Sequence, residues 1–356
     1  MQRWFPVVDW ARRYDRATLG ADGLAAVIVT IMLIPQSLAY AMLAGLPPEV
    51  GLYASILPLL AYAIFGSSRT LAVGPVAVVS LMTASAIAPV TAAGLADGMT
   101  AAVVLAALSG LVLILMGVLR LGFLANFLSH SVISGFITAS GILIAAGQLR
   151  HILGVSGGGD TLPEIISSLA GQWGAINSVT LATGAAVLAF LYVARRWAKA
   201  ALVAIGLPLW LADAVARVAP VVAIAATILA ATMLGLGDKG VALVGAIPSG
   251  LPVPGFPRVT LDLSLALTPA AVLISAVGFV ESVSVAQTLA ARRRERIIAD
   301  QELIGLGAAN IAASISSGYP VTGGFARSVV NFDAGARTPA AGVFTAVGIA
   351  LATLYL

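Results

Sequence analysis

The fold of this chain is decided by residues 68–80, whose sequence is SRTLAVGPVAVVS. A second stretch of the same character, GYPVTGGFARSVVN, occupies residues 318–331. Each predicts a short extended run, then a break at Gly or Pro, then the start of a helix. Because both lie in long apolar surroundings, their interrupted backbone would be costly unless it lined a cavity. We therefore predict two broken helices whose starting ends face each other across an anion site in the middle of a membrane.

The composition is that of a membrane protein. Hydrophobic residues make up 60% of the 356 residues and charged residues only 10%, and the mean hydropathy is +1.04. These values exclude an ordinary soluble globule. Apolar runs long enough to cross the hydrocarbon core recur along the chain, so we predict an all-α polytopic membrane protein of eleven spans. The absence of cysteine excludes disulfides and thiolate metal sites.

The span positions follow from the apolar runs and the breaks between them. Besides the two broken elements, spans are expected at residues 23–44, 51–65, 101–118, 131–147, 179–194, 218–236, 269–289, 302–316 and 340–356. Residues 150–177 predict a loop with a surface helix. Residues 199–217 are open between an interfacial helix and part of a longer span.

Four regions are predicted: a cytoplasmic N-terminal lead-in at 1–22, a first repeat of seven spans at 23–236, an extracytoplasmic connection at 237–268, and an incomplete second repeat, spans 8–11, at 269–356. Gln36 precedes Gly74 by 38 residues, and Glu281 precedes Gly323 by 42, so the first span corresponds to the eighth and the third to the tenth. Seven spans separate the members of each pair, and an odd number inverts the second copy.

The arginine and lysine positions predict the orientation. With a cytoplasmic N-terminus, fifteen of the nineteen Lys and Arg residues fall on the cytoplasmic side, and only Arg150, Lys239 and Arg258 fall outside. The net charge of +4 is explained by these retained arginines, so no nucleic-acid partner is expected. We predict a multi-pass protein of the cell inner (plasma) membrane, with the lipid bilayer as its surroundings.

The two helix starts carry the predicted chemistry. Free backbone N–H groups at a helix N-terminus bind an anion without a full side-chain charge. Gly74, Gly323 and Gly324 would let backbone or ligand approach closely. The alternative is that these glycines serve only helix packing, as small residues do in membranes. Paired breaks favour the anion site, because each would otherwise leave backbone unsatisfied in lipid.

Two charges are placed inside spans. Arg327 lies four residues after Gly323, and an intramembrane Arg faces a cavity or a partner. Glu281 is its expected partner, either as a carboxylate whose protonation is coupled to transport or as half of a permanent ion pair. Pro35 interrupts the first span, so that its polar neighbours Gln36 and Tyr40 can face the same cavity. No metal cluster, cofactor motif or nucleophile–base arrangement is found in the sequence, so no enzyme is expected.

Several motifs resemble the sulfate permease (SulP) family, also called solute carrier family 26. They are PQSLAYA at 35–41, GLPP at 45–48, GLY at 51–53, VGPVAVVS at 73–80, GFVES at 278–282, FARSVVN at 325–331 and AGART at 334–338. The resemblance implies an inverted seven-plus-seven repeat like that of uracil transporters, with a core and a gate domain. It also implies an anion between the third and tenth elements. Carried over, the site comprises Gln36, Tyr40, Val76, Glu281, Phe325, Ala326 and Arg327, to which the helix starts add Gly74 and Gly324.

The chain departs from the family pattern in three places. Family members have fourteen spans and a cytoplasmic STAS domain, so this chain is expected to be truncated, and the dimer that the family implies would form largely through the missing domain. Ala326 stands where Ser is frequent. Val285 stands where sodium-coupled bicarbonate members carry Thr, which favours proton over sodium coupling.

The function expected from these features is proton-coupled symport of a small anion such as sulfate or a C4-dicarboxylate, by movement of the core against the gate. In this hypothesis Gln36 and Tyr40 bind the anion, Arg327 attracts it and Glu281 carries the proton. The alternatives are bicarbonate transport, anion exchange, a chloride channel, and a non-transporting anion-responsive membrane protein.

Overall fold

The computed structural model of the chain describes residues 5–127, 130–159, 161–209, 212, 215–216, 219–243, 250–252, 254–255 and 259–355. The chain divides into two compact units, one made of Met1–Ile133 and Ile247–Leu356 and the other of Ser134–Ala246. The predicted residues of the anion site all belong to the first unit.

The first unit is built from helices and one pair of very short strands. In chain order its elements are α1 (Val7–Arg12), α2 (Arg16–Leu43), α3 (Glu49–Tyr53), α4 (Leu57–Phe65), β1 (Val73–Gly74), α5 (Ala77–Ala92), α6 (Gly98–Val118) and a 3-10 turn (Leu121–Phe127). After the second unit follow α12 (Leu261–Arg292), α13 (Ala299–Ile315), β2 (Thr322–Gly323), α14 (Phe325–Asp333) and α15 (Ala340–Tyr355).

The second unit holds most of α7 (His130–Leu153), then α8 (Leu162–Gly171), α9 (Ser178–Val193), α10 (Lys199–Ala204) and α11 (Ala219–Met233). The helix α8 is the surface helix expected within residues 150–177. A π turn at Ala194–Ala198 joins α9 directly to α10, so residues 199–204 continue a longer helix rather than form a separate interfacial one. Residues 210, 211, 213, 214 and 217 of this segment lie outside the described residues.

Two helices begin well before the predicted span starts, because each has its own capping residue. The side chain of Asp15 accepts a hydrogen bond from the Thr18 N–H at 2.7 Å, which starts α2 inside the predicted lead-in. The side chain of Thr260 accepts a hydrogen bond from the Leu263 N–H and caps α12. This helix therefore begins within the predicted connection at 237–268. The second predicted span is divided into α3 and α4, with Pro58 in the first turn of α4.

Membrane-spanning character is confirmed by length and apolar composition. Four of the described helical segments are long and apolar enough to cross a bilayer, namely Arg16–Leu43, Gly98–Val118, Ser178–Ala204 and Leu261–Arg292. Shorter apolar helices, α5 and α15 among them, accompany these four. The chain is therefore an all-α polytopic membrane protein. The inverted repeat stays a prediction.

The core of the first unit depends on small residues where α6 and α13 pack together. A Cβ placed at Gly307 of α13 would lie 2.6 Å from Ile114 Cγ1 and 2.8 Å from the Gly110 carbonyl oxygen. A Cβ placed at Gly110 would in turn lie 2.8 Å from the Gly307 carbonyl oxygen. The two backbones therefore touch, as in small-residue interfaces of membrane helices.

Replacing Gly307 by Ala should lower the thermal unfolding midpoint, because the new methyl meets backbone that cannot move aside. The expected cost is about 1–3 kcal/mol, as is usual for overpacking. Thermal unfolding of the detergent-solubilised protein measures it. Gly23→Ala in α2 is the matched control, since nothing lies within 4 Å of the added Cβ. Equal midpoints for the two variants would contradict this description of the interface.

Candidate anion site

Two helices begin side by side because their leading strands are paired. The strands β1 and β2 are antiparallel, with Val73 opposite Gly323 and Gly74 opposite Thr322. The helix α5 then starts after Val76 and α14 after Gly324, and neither capping residue offers a side-chain hydrogen bond. The first backbone N–H groups of both helices are thus left for a ligand. Pro75 lies just before the capping residue of α5.

The break before α14 is satisfied by side chains of neighbouring helices. Asn310 of α13 donates to the Val321 carbonyl at 2.8 Å and accepts from the Val321 N–H at 2.9 Å, as a neighbouring strand would. Thr322 donates its hydroxyl to the Gly278 carbonyl at 2.7 Å. Ser282 of α12 accepts from the Gly323 N–H at 2.8 Å and contacts the Thr322 hydroxyl at 2.6 Å. Extended backbone in the membrane is thereby supplied with partners.

The break before α5 is satisfied from α14. The Ser328 hydroxyl accepts from the Ala72 N–H at 3.0 Å and donates to the Gly324 carbonyl at 2.6 Å. The Gly324 N–H donates to the Ala72 carbonyl, and Asn331 donates to the Thr70 carbonyl at 3.0 Å. The segment before α5 is therefore held mainly by α14, and α14 in turn bonds back to it through the Gly324 N–H.

The side chain of Arg327 lies across both helix starts. It is only 2% exposed, and its Nη1 is buried without a hydrogen-bond partner. A Cβ at Gly74 would overlap Nη1, and one at Gly324 would lie 2.6 Å from Nε. The two glycines are therefore required by close approach of the guanidinium. A buried, unpaired donor beside two helix N-termini makes a strongly positive site.

Gln36, Tyr40 and Glu281 complete the polar groups of the site. The Gln36 amide donates to the Tyr40 hydroxyl at 3.1 Å, while its Oε1 is buried without a partner. Glu281 Oε2 is also buried without a partner. Tyr40, Tyr319 and Glu281 all lie close enough to Arg327 to interact with it electrostatically. Gln36, through its hydrogen bond to Tyr40, and Glu281 are thereby grouped with Arg327 in one polar region.

The expected ion pair between Arg327 and Glu281 is not formed. Ion pairs such as Arg13–Asp9 and Arg69–Glu295 occur among the described residues, but none joins Arg327 to Glu281. The reason is that the guanidinium is held between Gly74 and Gly324, where Glu281 does not reach it. The two charges interact across space and keep unpaired atoms.

The remaining predicted residues line the helix starts in different ways. Val76 is buried, and its Cγ1 lies 3.1 Å from the position of a Cβ on Gly324. Phe325 and Ala326 are exposed in the first turn of α14. The structure thus places Val76 beside Arg327, and the other two on the open side of the same helix.

Two buried carboxylates inside helices were not predicted, since Glu281 was the only acid placed within a span. Glu302 of α13 is 0% exposed and accepts from the Tyr62 hydroxyl, the Ser67 hydroxyl and the Ser67 and Ser68 N–H groups at 2.6–2.8 Å. Asp22 of α2 is also 0% exposed and accepts from Thr338 and from the Arg337 N–H. An acid at the start of an apolar run was the available signal for both.

Comparison with known proteins identifies the relatives of this chain. The sulfate permease family profile matches residues 19–356. Sulfate transporter 4.1, chloroplastic, from Arabidopsis thaliana is 39% identical over 99% of the chain and 50% of its own length. A probable sulfate transporter of Mycobacterium tuberculosis is 38% identical over 94% of the chain and 57% of its own length. The chain thus spans about half the length of the curated relatives it matches.

Two solved structures share the fold. The murine anion transporter of solute carrier 26 family member A9, in its inward-facing state, matches 99% of the chain and 59% of its own chain with a TM-score of 0.80 at 24% identity. The transmembrane domain of the cyanobacterial bicarbonate transporter BicA matches 96% of the chain and 84% of its own with a TM-score of 0.76 at 23% identity. The predicted family and helical membrane fold are confirmed.

Gly324→Ala should weaken anion binding while leaving the protein folded. The added methyl meets the Arg327 side chain rather than backbone, so the guanidinium is displaced instead of the helix. We expect the dissociation constant for sulfate to rise about ten-fold, which corresponds to ~1.4 kcal/mol. Calorimetric titration of the purified protein measures it. Gly342→Ala is the control, because its Cβ makes an ordinary 3.5 Å contact with Leu59. An unchanged constant in Gly324→Ala would contradict the placement of Arg327 in the site.

Proposed function

This chain belongs to the sulfate permease family, and we propose that it is the membrane part of a secondary active transporter for a small anion. The observation that carries this proposal is the buried, unpaired Nη1 donor of Arg327 at two helix starts whose capping residues form no side-chain hydrogen bond. Leaving a buried charged donor unsatisfied is costly, so it is expected where an anion accepts its hydrogen bond. No enzymatic activity is proposed, because the relatives are named as transporters.

The site recognises an anion by backbone N–H groups and one fixed charge. The N–H groups of α5 and α14, the Arg327 guanidinium and the Tyr40 hydroxyl all donate hydrogen bonds. Rotation of the Gln36 amide presents its NH₂ group to the same anion. This donor set suits a compact oxyanion or a carboxylate.

Sulfate is the first candidate substrate and a C4-dicarboxylate the second. The curated relatives at 38–39% identity are named as sulfate transporters. Bicarbonate is the alternative substrate, favoured by the fold likeness to BicA. Anion exchange without proton coupling is the alternative mechanism.

Glu281 is proposed as the proton carrier. Its carboxylate has an unpaired buried oxygen and interacts with Arg327 across space rather than through a direct ion pair. A bound dianion neutralises part of the Arg327 charge, which favours protonation of the neighbouring carboxyl group. Anion and proton binding are thereby linked, which is the thermodynamic requirement of symport.

The family and the charge distribution support a membrane location, an orientation and an assembly for the protein. We propose a multi-pass protein of the cell inner membrane with its N-terminus in the cytoplasm, because the arginines concentrate on that side. Alternating access by movement of a core domain against a gate domain, and assembly as a homodimer, are what membership of the family suggests.

Uptake into proteoliposomes tests the transport function. With an inward proton gradient, we expect radiolabelled sulfate to accumulate above its equilibrium level, and a sodium gradient to add nothing. Fumarate and bicarbonate are compared in the same vesicles to identify the substrate. Sulfate binding without flux under any gradient would instead indicate a non-transporting, anion-responsive protein. Currents far above carrier turnover would indicate a channel.

Glu281→Gln should abolish proton-driven accumulation but preserve exchange of labelled for unlabelled anion. The substitution keeps the shape of the side chain and removes the titrating group. We expect accumulation to fall at least about ten-fold while exchange changes by less than about three-fold, since only the coupled step loses its driving force. Glu49→Gln in α3 is the control for removing a carboxylate elsewhere. Unchanged pH dependence in Glu281→Gln would exclude Glu281 as the proton carrier.

A further inference from the structure

A second positively charged cavity lies in the first unit, apart from the anion site. It has a volume of about 560 Å³ and is lined by Arg13 after α1, Arg69 before β1, Arg293 after α12 and Arg337 after α14. Asp9 and Glu295 are the carboxylates in its lining. The lining therefore carries four positive and two negative charges, and its volume is that of a small-molecule site.

The two carboxylates leave much of this positive charge available. Asp9 pairs with Arg13 at 3.3 Å, and both side chains are mostly exposed. Glu295 reaches Arg69 by a single 3.3 Å contact, with the two side chains 28% and 46% exposed. Exposed pairs of this kind contribute only about 0–1 kcal/mol, so a doubly charged ligand can displace either carboxylate.

Of the four arginines in the cleft, Arg337 has the side chain most available to bind an anion. Its side chain is exposed and takes part in neither of the two described ion pairs. Its backbone N–H is fixed by Asp22, so the side chain projects from an anchored position. Its charge also reaches Asp15: hydrogen bonds from Thr18 lower the pKa of Asp15, and Arg337 acts in the same direction.

Arg293 connects the cleft to the broken helix α14. Its guanidinium donates to the carbonyl oxygens of Ala336 and Phe332 and stacks on the Phe332 ring at 4.3 Å. A positive charge at the C-terminal end of a helix complements the helix dipole. Arg69 meanwhile belongs to the segment that leads into β1. The segment that leads into β1 and the segment that follows α14 therefore both line the cleft.

We propose that this arginine cleft is a binding site for a phosphate dianion, distinct from the anion site at the helix starts. Arginine matches phosphate through paired, parallel N–H···O bonds, and several chain segments present arginines to the same cavity. The phosphate is either free in solution or the headgroup of an anionic lipid. The proposal does not depend on the transported substrate.

Binding of phosphate to the detergent-solubilised protein tests the proposal. Inorganic phosphate should raise the thermal unfolding midpoint in a saturable way, because a ligand that binds the folded state stabilises it. Combining Arg13→Gln with Arg337→Gln should weaken the apparent dissociation constant about ten-fold, through loss of two charge-assisted contacts. Arg196→Gln, on the second unit, is the matched control. Equal affinity in all three proteins would overturn the proposal.

Two further variants test whether phosphate binds in the cleft. They distinguish this site from binding at the helix starts and from a general loss of stability. Glu295→Gln should strengthen phosphate binding, because it removes the carboxylate that competes for Arg69. Gly324→Ala should leave phosphate binding unchanged, since it alters only the helix starts. Weaker phosphate binding in Glu295→Gln would contradict the assignment. So would a loss of phosphate binding in Gly324→Ala while the double arginine variant still binds.

Nanodiscs distinguish the two sources of phosphate. Stabilisation by phosphatidic acid relative to phosphatidylcholine, lost in the double arginine variant, would identify a lipid headgroup. Stabilisation by inorganic phosphate in phosphatidylcholine nanodiscs, with the same arginine dependence, would identify a soluble phosphate. Absence of both effects would overturn the proposal.

Discussion

The structure depends on the requirement that interrupted backbone inside a membrane must still find hydrogen-bond partners. The strands β1 and β2 supply two residues of pairing each, which is too little for a stable ribbon alone. Side chains provide the remaining hydrogen bonds, since Asn310 pairs with Val321 as a strand would and Ser328 bridges Ala72 and Gly324. Because these partners come from α13 and α14, the site can form only after those helices have packed.

Much of the site could be predicted from the sequence because breaks in apolar runs are rare and conspicuous. The patterns around Gly74 and Gly323 predicted two helix starts, and the structure pairs the strands that lead into them, with Gly74 opposite Thr322 and Val73 opposite Gly323. The intramembrane Arg327 was equally conspicuous. Which groups the Arg327 guanidinium contacts could not be predicted. Whether it pairs with Glu281 or lies against the two glycines depends on side-chain packing, which sequence patterns do not reveal. The same holds for Asn310, which occupies an otherwise ordinary apolar helix.

The helix ends were predicted less well than the helix centres. Hydropathy marks where lipid ends, whereas α2 and α12 begin at capping residues beyond the apolar segment. The buried acids Asp22 and Glu302 were missed for a related reason. Each lies near the start of its helix, where an acid is ordinarily solvated, and each is buried here because loops fold back to donate N–H groups to it. Loop conformation of this kind is a tertiary property.

The confinement of Arg327 between two glycines has a consequence for affinity. A long flexible side chain ordinarily loses rotamer freedom when it captures a ligand, and that loss subtracts from the binding free energy. Here the protein fold has already imposed one orientation on the guanidinium. In the proposed function, the charge is therefore already in position, and binding of the anion orders only the side chains of Gln36 and Tyr40.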